Sequence, residues 1–129
     1  MKPKKKILIF IDWYLPGFKA GGPIRSCANL VAHLSSSFEF YIITRDTDYC
    51  ESKPYHGVTS NKWTSLTDNV NVFYVSADKL SYYYLEGITQ TLSFDVVYVN
   101  GVYSKNFSIY PLLLFQKKKH QLLSQQEEC

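Results

Sequence analysis

Hydrophobic residues along the chain fall in blocks whose period changes from one block to the next. Ile7-Leu8-Ile9-Phe10-Ile11 is unbroken until Asp12, the mark of a strand buried on both faces. After a loop closing on Gly21-Gly22-Pro23, the residues Ile24, Cys27, Ala28, Leu30, Val31 and Leu34 recur at helical spacing. Ser35-Ser36-Ser37 ends that helix, and Phe38 to Thr44 is a second run rich in β-formers. Residues 45–69 have no period; Trp63 and Tyr55 are expected to pack part of this insertion down. Val70 to Val75 reads as a third strand. Ser76 or Asp78 is placed to cap a second helix to about Thr91, with Leu80, Tyr84, Leu85, Ile88 and Leu92 on one face. Within it, one ring of Tyr82-Tyr83-Tyr84 is expected in the core and two partly exposed. Asp95 to Val99 is a fourth strand, ended by Asn100-Gly101. Ser108 then caps a third helix, Ile109 to about Lys118, with Pro111 in its first turn.

This order of elements predicts an α/β fold: a partial Rossmann-like, doubly wound parallel sheet with right-handed crossovers. Numbering those four predicted strands in chain order, the arrangement 3-2-1-4 sets the first beside the fourth. Their C-terminal ends then form the crevice where such sheets bind ligands. Asp12, Gly21, Gly22 and Arg25 would face Asn100, Tyr103 and Ser104 across it.

The loop between the first strand and the first helix carries the sharpest chemistry. Pro23 suits a first helical turn, where its missing N–H costs nothing. Gly21 and Gly22 lack a Cβ, so a ligand can approach their backbone. The N–H groups of that turn carry partial positive charge and attract anions. Arg25 opposes the helix dipole unless an anion is bound there; the alternative is a solvent-facing side chain with no role. The spacing is neither the three-glycine dinucleotide fingerprint nor a Walker loop.

Composition narrows the class. Among 129 residues, 46% hydrophobic and 16% aromatic suffice for a core and exclude global disorder. The net charge of +3 resides largely in Lys2, Lys4, Lys5 and Lys6 and in Lys117, Lys118 and Lys119. Such runs are solvated, or weakly attracted to anionic lipid as a peripheral inner-membrane contact. No nucleic-acid motif is present. Cys27, Cys50 and Cys129 lack metal-site spacing, and no metal is expected. Cys27 lies on the apolar face of the first helix as a core thiol, and a reducing cytoplasm fits this usage. The apolar run after the basic start is too short for a signal peptide, and no stretch reaches the roughly 20 residues of a membrane span. His33 reads as surface helix and His56 as a loop residue.

Taken in order, four segments carry a resemblance: Trp13-Tyr14-Leu15-Pro16-Gly17, Lys19 to Arg25, Ile43 to Asp48, and Tyr98-Val99-Asn100-Gly101. From about Lys6 to Leu114 the chain resembles the N-terminal domain of bacterial family 4 glycosyltransferases, retaining enzymes of the GT-B fold. The resemblance implies an acceptor-side domain facing a second Rossmann-like domain that holds most of a nucleotide-sugar. It implies donor-phosphate binding at Gly21 and Gly22, with Arg25 a candidate for the same anion. Acceptor-side candidates are Asp12, Arg45, Asp46, Asn100 and Tyr103, with Asp48 in the same stretch; the other reading of Asp46 is a loop cap or surface ion pair. The implied partners are a nucleotide-sugar, as substrate and not cofactor, and a glycan or lipid-linked acceptor. No catalytic residue is assigned.

The family's donor-binding domain is missing and the N-terminal domain is short, so the chain alone is expected not to transfer sugar. Residues 1–118 read as an incomplete glycosyltransferase domain and 119–129 as an irregular tail. Under one choice of synonymous codons, shifting the tail by two bases reads Thr-Ser-Ile-Ile-Ile-Ser-Ala-Arg-Gly-Met-Leu. That is a strand and an Arg-Gly-Met-Leu segment similar to the family's. A frameshift near Lys117–Lys119 is therefore one account and an ordinary divergent C-terminus the other; the nucleotide sequence separates them. Two further readings stay open: a stand-alone Rossmann-like module for a small phosphorylated ligand, and a non-functional truncation made sticky by an uncovered fourth strand.

Overall fold

The computed structural model describes residues 4–90 and 92–100, together with the backbone of 122–125. In chain order these form β1 (Lys5–Ile11), α1 (Gly22–Leu34), β2 (Phe38–Arg45), β3 (Trp63–Thr67), β4 (Val70–Val75), α2 (Tyr82–Gln90), β5 (Val96–Asn100) and β6 (Leu122–Gln125). One six-stranded sheet has the order β3-β4-β2-β1-β5-β6. All neighbours are parallel except β3 and β4. The order expected for the four sequence-predicted strands recurs as β4-β2-β1-β5. The third predicted helix, with Ser108 and Pro111, lies outside the described residues.

The central position of β1 follows from its composition. Leu8, Ile9 and Phe10 are fully buried because each face of the strand has its own cover. On one face Ile9, Ile11, Ile42, Val72 and Tyr74 pack with Cys27 and Val31 of α1. On the other, Leu8, Phe10, Ile43, Phe73, Val97 and Val99 meet Leu85, with Tyr84 and Ile88 of α2 against them. Alternation along each strand divides its side chains between two layers, so the two helices lie on opposite faces. Each fully buried aliphatic side chain contributes about 1.5–3 kcal/mol through water exclusion.

Four features differ from the sequence reading. The insertion is not structureless: Trp63–Thr67 forms an antiparallel edge strand on β4. Asp68 and Asn69 turn it back, with Asn69 in the left-handed region at φ 67°, and the Asn69 Nδ2 donates to the Ser35 carbonyl at 2.9 Å. Trp63 supplies the expected anchor, with its ring edge-on to Tyr41 and Phe73.

Second, α2 starts later than either proposed cap. Ala77–Lys79 is a single 3-10 turn and Leu80 is extended. Ser81 takes over as cap, its Oγ accepting the Tyr84 N–H at 3.2 Å. Ser76 is engaged elsewhere, bonded through its N–H and hydroxyl to Asn61. Third, no ring of the tyrosine triplet is fully buried: Tyr82 and Tyr84 are half-buried and Tyr83 is 81% exposed. Fourth, Leu122–Gln125 in the tail is a strand, paired in parallel register with β5 from Val97↔Leu122 to Asn100↔Gln125. The fourth predicted strand is thus not an uncovered edge, which removes the stated basis for a sticky truncation.

Candidate functional site

The strand order reverses at β1, whose chain continuation through α1 goes to one side while β5 pairs on the other. Beyond the C-terminal ends of β1 and β5 lies the position at which open α/β sheets bind ligands. Ile11 and Asn100 are register partners there, so Asp12 emerges beside the end of β5.

Asp12 and Arg45 form a pair at the ends of adjacent strands. The Arg45 Nη2 and Nε lie 3.1 and 3.2 Å from Asp12 Oδ1, and the Arg45 N–H donates to the Asp12 carbonyl. With side-chain exposures of 13% and 28%, both charges are shielded enough for the pairing to matter. The guanidinium also lies 5.7 Å from the Trp13 ring centre, and Tyr49 meets that ring edge-on. The result is an aromatic and ionic cluster in which Asp12 balances Arg45.

The glycine pair is at the other end of the loop. Gly21, at φ 71° and ψ −118°, sits immediately before α1 in a conformation that favours glycine. A Cβ at Gly21 or Gly22 would meet nothing within 4 Å, and both residues are exposed. The Gly21 N–H, however, donates to the Phe18 carbonyl at 3.1 Å. Gly21 therefore shapes the site, while the first-turn amides of Gly22 and Ile24 have no acceptor among the described residues. No side chain caps this end and no acidic residue lies in the first turn. Arg25 is exposed beside it. An anion here would meet two donors, a helix dipole and a cation.

The remaining sequence candidates separate. Asp46 is 2% exposed and accepts the Ser60 hydroxyl at 2.7 Å, while its main chain bonds Val75 and Tyr55. These bonds tie the insertion to the end of the sheet. Asp48 is 8% exposed, and its carboxylate accepts the N–H groups of Phe18, Lys19 and Tyr49. Asn100 is buried at the end of β5. Tyr103 lies outside the described residues. Cys27 is buried, and His33 and His56 are exposed on the helix and the insertion.

Three groups shape this end of the sheet; sequence reasoning assigned no packing role to Tyr74 and Gly17, and expected Tyr55 only to pack the insertion down. Tyr74 donates its hydroxyl to the Leu15 carbonyl at 2.5 Å. Tyr55 donates to the Tyr14 carbonyl at 3.4 Å and stacks edge-on against Tyr74. Gly17 is buried beneath Tyr55. The only signal for Tyr74 was the density of tyrosine in a loop-rich chain. Burial pushes the Tyr14 and Tyr55 hydroxyls well above the ordinary range and Tyr74 up to about 12. Beside them a groove of about 450 Å³ is lined by Leu15, Pro16, Val58, Leu66 and Tyr74, with His56 also in its lining.

Among the described residues, no group of three or more His, Cys, Asp or Glu side chains is placed to hold a metal ion, and no helix is long and apolar enough to cross a membrane. Comparison with known protein families, curated proteins and solved structures finds no match.

Proposed function

We propose that the chain is the acceptor-side half of a retaining glycosyltransferase, a Rossmann-like, doubly wound domain of GT-B type that works within a longer protein. The observation that carries this reading is the uncapped start of α1, with an open glycine pair and Arg25 beside it. In this reading the diphosphate of a nucleotide-sugar rests against the Gly22 and Ile24 amides. Charge growing on the departing diphosphate is stabilised there by fixed dipoles and by Arg25, with further groups from a partner domain. Gly21 keeps the approach clear. Asp12, Arg45 and Asn100 lie at neighbouring strand ends and line the side assigned to a glycan or lipid-linked acceptor. The basic N-terminal residues suit peripheral contact with the cytoplasmic face of a membrane.

The test is an NMR titration with a panel of uridine and guanosine diphosphate sugars. Weak binding is expected, shifting the amides of Gly22, Ile24 and Arg25 and lost in Arg25→Ala. No sugar transfer is expected from the chain alone. Shifts confined to other residues, or turnover without a partner domain, refute the proposal. A second reading, a stand-alone module for a phosphorylated ligand, is favoured by the engagement of Asp12 with Arg45, which disposes Asp12 to structure. Tight binding of a sugar diphosphate by the isolated chain would select that reading.

A further inference from the structure

We propose that Leu15–Gly21 is a flap latched by the Asp48 carboxylate, opening as a local unit and unroofing the groove beside it. The inference does not depend on what binds at the start of α1.

The flap is tied to the core mainly at its ends. Tyr14 before it is 2% exposed and Ile24 after it is 3% exposed. Between them Leu15 is 42% exposed and Phe18 is 74% exposed, so neither large apolar side chain holds the segment down. Gly17 is buried but has no side chain to bury. The attachment is polar: Tyr74 to the Leu15 carbonyl, and Asp48 to the N–H groups of Phe18 at 3.2 Å and Lys19 at 3.2 Å. The Lys19–Glu51 ion pair alongside is exposed and contributes little.

Asp48 has the position and chemistry of a latch. Its other amide partner, Tyr49 at 2.8 Å, belongs to its own turn and keeps the carboxylate aimed when the flap departs. Closed, the carboxylate is nearly buried and satisfied by main-chain donors. Open, it gains water, which repays most of what the departing amides supplied. The opening therefore costs less than unfolding the strands beneath, whose apolar side chains have no such compensation. Movement propagates through the Phe18 carbonyl to the Gly21 N–H, and from the Gly21 carbonyl to the first helical bond at Arg25. Leu15 and Pro16 form one wall of the groove, so the same motion widens it.

Native-state amide exchange of the whole chain tests this, with trypsin cleavage after Lys19 as a second readout. In the unaltered protein, Phe18 and Lys19 should exchange through an opening more frequent than the one that exposes Phe10 and Ile42. Asp48→Ala should raise exchange at Phe18 and Lys19, and cleavage at Lys19, by about tenfold or more, the worth of one net bond to a charged group. Exchange in the core strands should rise by no more than the same factor, because global unfolding breaks the same bonds, so the gap in opening frequency between the flap and the core should persist. Should Asp48→Ala fail to fold, Asp48→Asn, which keeps one acceptor oxygen, should give a smaller increase at the same sites. Phe18 and Lys19 exchanging only with the core, or indifferent to substitution of Asp48, would overturn the proposal.

Discussion

Gly17 gives the sharpest test of how the insertion is packed on the loop before α1. It is buried, and a Cβ there would fall inside contact distance of the Tyr55 hydroxyl. The same Cβ would lie 3.0 Å from Tyr55 Cζ and 2.9 Å from the Tyr14 carbonyl oxygen. The carbonyl cannot retreat freely, because it accepts the Gly17 N–H at 2.9 Å and closes the turn. Tyr55 must yield, giving up its bond to the Tyr14 carbonyl and its edge-on contact with Tyr74, and the turn at that carbonyl must open slightly as well. Overpacking of this kind costs about 1–3 kcal/mol and the lost hydrogen bond about 1. Gly17→Ala is therefore expected to destabilise the fold by about 2–4 kcal/mol, lowering Tm by roughly 6–20 °C for a domain of this size. Urea and thermal unfolding measure it. Tyr55→Phe in the Gly17→Ala background removes the closest oxygen but leaves the ring, so it should recover about half. A Gly17→Ala chain within about 0.5 kcal/mol of the parent, or a pair of changes no better than the single one, would refute the packing argument.

Three further outcomes are expected. Tyr14, Tyr55 and Tyr74 have their hydroxyl pKa values raised by burial above the ordinary 10.0, Tyr74 to about 12. The native state therefore favours the protonated phenols: their contribution is complete below about pH 10 and is lost as pH climbs toward 12. Tyr74→Phe should lower stability below pH 10, through loss of the bond to the Leu15 carbonyl, and flatten the decline between about pH 10 and 12, followed by urea unfolding across pH; an unchanged slope counts against this. Arg45→Ala strands the Asp12 carboxylate and should cost about 1–3 kcal/mol. A double-mutant cycle with Asp12→Ala should give a coupling of about 0.5–2 kcal/mol, with a change in Trp13 emission; zero coupling would deny the pairing. Asn69→Val forces a β-branched residue into the left-handed region and removes the bond to Ser35, an expected loss of about 2–3 kcal/mol. Asn69→Gly keeps the backbone and should lose only about 1 by urea unfolding.

Much of the fold was legible because the hydrophobic pattern is strong where strands are central. Ile7–Ile11 and Phe40–Ile43 are apolar on both faces, as a strand buried in the middle of a parallel sheet requires. The helix after Gly22-Pro23 was legible from its period and from proline at its start. Trp63–Thr67 was not: an edge strand that is mostly exposed needs no hydrophobic alternation, and its only local signal is the Asp68-Asn69 turn. Leu122–Gln125 was missed for a related reason, since pairing with β5 can recruit a sequence that alone has little strand character.

For the candidate site, the local sequence decided that an open glycine pair precedes a helix, because chain order and the absence of Cβ atoms need no tertiary partner. Tertiary structure decided which polar groups remain available there. Asp46 and Asp48 look alike in sequence, yet one bonds Ser60 beneath the insertion and the other gathers the amides of Phe18 and Lys19. Gly21 and Gly22 look alike too, yet only the first spends its N–H on Phe18. Hydrogen-bond partners tens of residues apart are brought together only when the sheet assembles, and burial then forces each charge to find one.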